Sequence, residues 1–457
     1  MIDEEVRPLY VNMSGKRIEC KGPKNKYNIS IERYNFTGIR VTSDLNKVLN
    51  CWAKSVKRFR KSDVMIDYTN KVVFKSSKIQ YFPNAIAVRV KCTLHKESYE
   101  KVVPLIPVIE SPTVRELPDS RDLPNVLFVG IDSVSRLQFD RHFPITARNV
   151  ISGQGFHTMY GYNKVADNTF PNLTPLLTGL YASDIWNETM NAQFDYFPFI
   201  WKEYQRKGYR TLYMEDAPNM NTYNYNRKGF RDPPTDYYLR PYYLAMDHET
   251  KHNCYLDKPE VVVYYEYLLD FIRAMNTRKH KYFAFHFMAK LSHDILNNCG
   301  YFDPIIDRLF GQLFRENLLT NTVIVFFSDH GLRFGDIRQT LSGKYEERLP
   351  FMHIYVPQRY RSRNMTVNEH RLTTPFDIHS TLKHIIEGKP NHTLSYGLSL
   401  LEEIPYDRSC DSIPILEHWC GCQTSQPIHD LHSVRPMAEF VVTKLNDLLH
   451  DKYPNEC

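Results

Sequence analysis

Several features that would assign this chain to a simple class are missing from it. No apolar run approaches the roughly 18 residues that a membrane-spanning helix needs, and the opening Met1-Ile2-Asp3-Glu4-Glu5-Val6-Arg7-Pro8 has no signal-peptide core. There is no long basic run either: 58 basic residues stand against 52 acidic ones over 457 positions, a formal net charge of +6. So small and dispersed an excess argues against nucleic acid as a partner, because phosphate backbones demand a concentrated basic surface. No internal repeat is visible, which excludes solenoid and propeller architectures. With 42% hydrophobic residues the chain is neither disordered nor fibrous, and it can bury a full α/β core with smaller flanking modules.

Cysteine is present, nine in all, together with seven Asn-x-Ser/Thr sequons at Asn12, Asn28, Asn35, Asn172, Asn187, Asn364 and Asn391. Both suit an extracellular, secreted or lumenal domain. Asn172 sits in an expected helix and is a poor acceptor in any compartment. Cys410, Cys420 and Cys422 with His418 imitate a zinc ribbon, but Cys-Gly-Cys lacks the two-residue spacing of such sites, so disulfides are expected there. An odd count leaves one thiol unpaired or bonded to another chain.

Punctuation along the chain divides it. Residues 1–103 carry short β-type runs such as Lys71–Lys75 and Ala85–Val90, interspersed with Cys20, Cys51 and Cys92, and read as a β-rich module. Prolines 104, 107, 112, 118 and 124 mark a connector over 104–124. Over 125–400, strands alternate with helical patterns at Glu260–Met275 and Ile305–Leu318, with a strand at Lys281–Phe287 between them; this predicts an α/β fold, a mostly parallel sheet sandwiched by helices. Residues 401–457 read as a small cysteine-containing cap and a final helix, Met437–His450.

Two apolar runs, Asn125–Ile131 and Thr322–Phe327, end in Asp132 and in Ser328-Asp329-His330-Gly331. Buried parallel strands deliver their carboxyl-end residues to one edge, where open α/β sheets place their sites. Asp132, Asp329 and His330 supply the O,O,N donor set that a divalent cation accepts. Any one Asp after a strand serves as well to start a turn or cap a helix. Thr169, in Asp167-Asn168-Thr169-Phe170-Pro171-Asn172-Leu173, precedes a helical Leu pattern with Pro171 in its first turn, where no amide donor is needed. A threonine there is at the positive end of a helix, and a nearby cation would further ease its ionisation to a nucleophile; a plain helix cap is the alternative.

The order strand–Asp, Thr-Phe-Pro-Asn with Leu-x-Thr-Gly-Leu-Tyr, then Phe-Ser-Asp-His-Gly resembles the alkaline phosphatase superfamily, and within it the sulfatase-like branch. The closest resemblance is to an uncharacterised extracytoplasmic subfamily expanded in nematodes and insects. Gly130–Arg136, Gly229–Tyr238 and Glu346–Pro350 add to the likeness, which covers roughly residues 120–425. The resemblance implies Asp132, Thr169, Asp329 and His330 as metal ligands, with Thr169 as nucleophile. It implies a divalent metal as cofactor, zinc first, with calcium or manganese as alternatives. Sulfatases proper carry Cys-x-Pro-x-Arg; Thr169 cannot become formylglycine and the arginine is absent, so the expected reaction is transfer of a phosphoryl or phosphodiester group to water or another hydroxyl. The expected substrate is a small-molecule or headgroup phosphoester. Members of this family are secreted or membrane-anchored, which makes membrane contact through a missing N-terminal anchor an expectation too.

The second metal position of two-zinc relatives departs here, since Ala289 stands where an Asp precedes the His. One ion is therefore expected rather than two. His293 is read as the group that protonates the leaving oxygen or binds the oxyanion, with Asp294 as an alternative ligand. Glu215 and Asp216 end the run Thr211–Met214 and face the same sheet edge or a solvated turn. Lys344 loosely resembles a sulfatase lysine, Arg333 is a substrate contact or a surface arginine, and His379 reads as structural. The tyrosines between 223 and 243 line a groove or pack over the sheet. A second functional reading remains: a catalytically inactive ectodomain that keeps the fold and binds a glycan or protein partner.

Overall fold

The computed structural model describes residues 4–452 apart from 24, 26, 45–46, 95–96, 111–121, 188, 191, 248, 392–395, 414 and 423–429. The connector prolines Pro112 and Pro118 lie outside the described residues.

Seven strands build the central sheet: β1 Asn125–Ile131, β2 His157–Thr158, β3 Arg210–Glu215, β4 Tyr237–Tyr238, β5 Tyr282–Met288, β6 Thr322–Phe327 and β7 Met352–Tyr355, in the order β2-β7-β6-β1-β5-β3-β4. From β6 to β4 all neighbours run parallel, while β7 and β2 add an antiparallel edge. The apolar runs are continuous because both faces are covered, and each splits by the period of two. Leu127, Val129 and Ile131 of β1 with Ile324 and Phe326 of β6 enter one core. Val126 and Phe128 with Val323, Val325 and Phe327 enter the other. Phe283, Phe285 and Phe287 give β5 the same alternation, placing three aromatic rings under the second face, with Phe285 and Phe287 stacked.

The first face is covered by two long helices, Glu260–Thr277 and Asp303–Arg315. The second is covered by α1 Thr169–Thr178, by Ile200–Arg206 and by Pro375–Glu387. The helix at Pro375 starts with a capping box from Thr374 and Asp377 and ends at Gly388 in the left-handed region, as its sequence dictates. His379, on this helix, is buried against Gly179, in keeping with a structural role.

The N-terminal residues form a five-stranded sheet, with strands Asn50–Arg58, Ile66–Tyr68, Val72–Lys75, Ala87–Leu94 and Glu97–Pro104, and a three-stranded one. Their own core is pinned by Cys51–Cys92, yet Val56, Ala87 and Val102 enter the first core of the α/β part. Cys20–Cys254 adds a covalent tie between the two. Residues 1–421 form one compact unit and 422–457 another; the latter holds the helix Leu431–Lys452, which begins earlier than the sequence suggested and contains Pro436. Cys410 pairs with Cys420, as expected of that cluster, while among the described cysteines Cys299 and Cys422 are free thiols. No helix among the described residues is long and apolar enough to cross a membrane.

Candidate metal centre and nucleophile

β1 and β6 are adjacent and in register from Thr322↔Asn125 to Phe327↔Gly130, so the residues that follow them emerge side by side. Close approach is built in: a Cβ on Gly130 would lie 2.4 Å from Phe287 and 2.9 Å from Phe327. After β1 the chain turns through Ser133, a non-glycine residue at φ 64°. That strained conformation persists because its surroundings hold it: Ser133 donates its amide to Asp329 Oδ1 (3.3 Å) and its hydroxyl to Asp132 Oδ1 (2.9 Å). After β6, Gly331 donates its amide to Glu347 O (3.0 Å), and a Cβ at Gly331 would sit 2.0 Å from Glu346 O. The glycine of Asp-His-Gly is thus required by a helix, Leu341–Arg348, lying directly against it.

Three donors converge. His330 Nε2 is 3.3 Å from Asp329 Oδ2 and 3.7 Å from Asp132 Oδ1, and one ligand atom from each residue falls within 4.8 Å of the others. Thr169 Oγ1 lies 3.4 Å from His330 Nε2. Donors bound to zinc at ~2.0–2.1 Å in a tetrahedron sit about 3.3 Å apart, so these separations fit one ion. The electrostatics fit as well. Asp132 and Asp329 are both almost completely buried, and burial followed by the Asp329 charge pushes the Asp132 carboxyl well above its usual range. Asp329 Oδ2 is buried without a hydrogen-bond partner. Two adjacent carboxylates with an orphaned oxygen are costly to bury unless a cation joins them. Burial also holds His330 neutral, its pKa lowered to about 4, which keeps Nε2 available as a lone-pair donor.

Thr169 is the first residue of α1, with Asn168 before it in extended conformation and making no side-chain cap. The turn before it is locked by Asn172, whose side chain accepts from Val165 N (2.8 Å) and donates to Asn168 O (3.0 Å). This sequon asparagine is 1% exposed and fully engaged. Pro171 falls in the first turn, where its missing N–H costs nothing.

A cleft of about 770 Å³ opens over the site, lined by Asp132, Thr169, His293, Arg333 and the segment 220–228, among others. His293 is partly exposed and its Nδ1 is 2.7 Å from Asp294 Oδ1. Asp294 itself is 73% exposed and stands outside the donor cluster. Arg333 is 19% exposed, pairs with Asp167 (2.7 Å) and lines the cleft. Glu215 is placed away from the donors, buried and accepting from Tyr213 OH (2.7 Å) and Thr222 N (3.2 Å). It therefore braces the cleft wall rather than facing solvent. Asp216 accepts from the amides of Ala289 (2.6 Å) and Lys290 (3.2 Å), with burial raising its pKa to about 7. Lys344, half-buried on Leu341–Arg348, does not line the cleft. Of the tyrosines, Tyr223, Tyr237, Tyr238, Tyr242 and Tyr243 are core residues, and only Tyr225 of that group lines the cleft.

Sequence reasoning missed Lys164. Its side-chain nitrogen is completely buried beside the Glu347 carboxylate, donates to Asp167 O (3.0 Å) and lies 4.2 Å from the Trp419 ring centroid. Burial drives its pKa down to about 6, helped by Arg333 and Arg338 and opposed by Asp167 and Asp329. No periodicity marks a lysine in a loop; only its five-residue distance from Thr169 hinted at a role. Arg227, over the ring of Phe170 at 4.0 Å, was also missed.

A mostly parallel α/β sheet with a buried Asp–Asp–His set and a helix-terminal hydroxyl at its carboxyl edge is the arrangement that the resemblance to the alkaline phosphatase superfamily implies. The chain belongs to the family described as "Protein of unknown function (DUF229)", whose profile matches residues 14–457. No curated protein matches the sequence. Similar solved structures include a protein in the alkaline phosphatase superfamily from Vibrio parahaemolyticus, at 12% identity and TM-score 0.46, covering 62% of this chain and 71% of that one. Another is a phosphonate monoester hydrolase from Silicibacter pomeroyi, at 15% identity and TM-score 0.43, with 62% and 78% covered. The C-terminal periplasmic domain of EptC from Escherichia coli is similar at 11% identity and TM-score 0.42, with 66% and 92% covered. Likeness at this level says nothing about activity, which must be argued from the geometry.

Proposed function

We propose that this protein is a metal-dependent hydrolase or transferase of phosphate mono- or diesters in which Thr169 is the nucleophile. The observation that supports this most is the 3.4 Å approach of Thr169 Oγ1 to His330 Nε2, inside a buried donor set that includes two carboxylates. Asp132, Asp329, His330 and Thr169 would hold one divalent ion, zinc first and calcium or manganese as alternatives. Such an ion, when bound, offsets the charge of the threonine alkoxide and of the phosphoryl oxygens. The helix terminus of α1 favours the same negative charge. Thr169 gives up its hydroxyl proton to solvent and its Oγ attacks phosphorus, the bond to the leaving oxygen breaks, and His293 supplies the proton that oxygen needs. Water or a second alcohol then attacks the phosphothreonine and regenerates the hydroxyl. Arg333, from the cleft side, meets the anionic ester.

Lys164 and Glu347 take no part in bond making. Lys164 Nζ holds the carbonyl of Asp167, and the main-chain carbonyl of Glu347 holds the amide of Gly331. Three disulfides support an oxidising compartment, so the phosphoester substrate is an extracellular or lumenal small molecule or headgroup. Assays of p-nitrophenyl phosphate, bis-p-nitrophenyl phosphate and p-nitrophenyl sulfate, with and without EDTA, test the proposal. Turnover of a phosphate ester that EDTA abolishes supports it; a metal-loaded protein silent on all three favours the binding-ectodomain reading, and formylglycine chemistry on the sulfate is closed to Thr169.

A further inference from the structure

Residues 220–228 supply one wall of the cleft as a run of turns closed by local bonds such as Tyr225 N to Asn221 O (2.9 Å) and Gly229 N to Tyr223 O (2.9 Å). Ala217 (φ 49°), Asn226 (φ 53°) and Gly229 (φ 63°) all lie in the left-handed region. Ala217 rarely takes this conformation unless its surroundings impose it, whereas an asparagine such as Asn226 adopts it readily. The segment forms neither helix nor strand, so its rigidity depends on side-chain bonds to the rest of the protein as well as on its own turns.

Much of that rigidity traces to one carboxylate of the N-terminal module. Asp63, between the strands Asn50–Arg58 and Ile66–Tyr68, is 2% exposed. Its side chain accepts from Asn224 Nδ2 (3.2 Å), Phe230 N (2.9 Å), Tyr238 OH (2.8 Å) and Arg58 Nη2 (2.8 Å). Its carbonyl accepts from Arg240 Nε (2.6 Å), and the same guanidinium donates to Pro218 O (2.7 Å) and to Asn221 Oδ1. Arg58 also donates to Phe230 O (2.6 Å). Both ends of the wall segment are therefore tied to Asp63, directly at 224 and 230 and through Arg240 at 218 and 221. The fit leaves no room for a side chain at Gly229, whose Cβ would lie 2.4 Å from Asp63 Oδ2 and 2.1 Å from Asn224 Nδ2. At the far side of the segment Arg227 lies over the rings of Phe170 (4.0 Å) and Trp186 (4.8 Å), next to the residue that follows Thr169.

From this we infer that the N-terminal β module buttresses the wall of the substrate cleft, with Asp63 as the positioning residue for the 217–230 wall and Arg227 as the residue by which that wall meets the non-reacting part of the substrate. The activity half of this inference rests on the phosphoester reading; the structural half does not. Buried charge satisfied by several donors is a strong local constraint, and its loss is felt first by the irregular segment those donors belong to.

The test uses the full chain with two variants, Asp63→Asn and Asn224→Ala, followed by amide hydrogen exchange and by kinetics on p-nitrophenyl phosphate and bis-p-nitrophenyl phosphate. Exchange over 217–230 is expected to rise roughly fivefold or more in both variants, while 165–178 and 322–331 stay as in the wild type. For the diester, KM is expected to rise about threefold or more with kcat within about twofold, the split that marks lost positioning of a substrate part rather than lost chemistry. Arg227→Gln is expected to reproduce the KM effect without the exchange effect. Should Asp63→Asn not fold, Asn224→Ala carries the test alone. Unchanged exchange over 217–230 in a folded variant overturns the inference, and so does a fall in kcat with KM unmoved. If the wild type turns over neither ester, the phosphoester reading falls while the exchange measurement still decides the role of Asp63.

Discussion

His330 Nδ1 lies 2.9 Å from the carbonyl oxygen of Gly331. A carbonyl only accepts, so Nδ1 carries the proton and Nε2 is left as the lone-pair nitrogen that faces Thr169 Oγ1 and Asp329 Oδ2. The glycine that follows the histidine thereby sets its tautomer, and the helix at Leu341–Arg348 sets the glycine.

From this relationship, Thr169→Ala is expected to lower kcat by roughly 10³-fold or more, with the donor set still able to bind an ion more weakly. Thr169→Ser keeps the hydroxyl at the helix terminus and is expected to retain measurable turnover. Rapid acid quench with mass analysis of the peptide holding residue 169 checks the covalent step: an 80-dalton adduct, the mass of one added HPO₃ group, is expected for the wild type, and an active Thr169→Ala would rule the nucleophile out.

Chelation and Asp329→Asn are expected to move stability in opposite directions. Removing a bound ion at about 100 times its Kd costs ~2.7 kcal/mol. Replacing Asp329, whose Oδ2 has no partner, relieves the repulsion with Asp132 and should leave the ion-free protein more stable than ion-free wild type. Melting curves of both proteins with EDTA and with added zinc check this; a variant that gains as much from zinc as the wild type contradicts the ligand assignment.

His293→Ala is expected to reduce turnover of an alkyl phosphate by about 10²-fold or more and that of p-nitrophenyl phosphate far less, because p-nitrophenolate leaves without a proton. A loss that is equal for both esters would assign His293 to oxyanion binding instead.

Three histidines remote from the donor set, His286, His353 and His379, are held near a pKa of about 3 by burial. A folded pKa below the unfolded 6.5 contributes stability that is full above about pH 6.5 and is lost as pH falls toward 3, since the unfolded chain binds the proton first. At pH 5.5 each histidine costs about 1.4 kcal/mol relative to pH 7.5. His286 on β5 has no hydrogen-bond partner at either ring nitrogen and packs edge-on against Tyr265. His286→Phe should therefore reduce the drop in urea-unfolding free energy between pH 7.5 and 5.5 by about 1.4 kcal/mol; an unchanged drop would show that the ring is charged or solvated in the folded protein.

Gly331→Ala puts a methyl group 2.0 Å from Glu346 O. Backbone must shift, at roughly 1–3 kcal/mol of stability, and His330 shifts with it. Loss of zinc affinity exceeding the loss of stability is the expected reading, from isothermal titration beside a thermal melt.

The sheet and three of its landmarks were legible in the chain. Strand-end Asp132, the Asp329-His330 pair and the helix start at Thr169 are local signals: apolar runs long enough for a buried strand, and a hydroxyl followed by proline and spaced leucines. Arg333 was legible only as a position, since whether an arginine faces solvent or a cleft depends on what folds over it. For Glu215 the chain leaves open a place at the sheet edge or a solvated turn, and Tyr213 and Thr222 claim it for the cleft wall instead.

What the amino-acid order determined by itself is what depends on neighbours a few residues apart: periodicity, caps, turns and the residues delivered to the ends of β1 and β6. What only the tertiary structure decided is who stands beside whom across long separations, as Lys164 with Glu347 and Asp63 with Asn224 and Phe230. Those pairings rest on charge buried and satisfied by distant donors, and a buried charge has no signature in sequence until the surfaces that remove its water have closed over it.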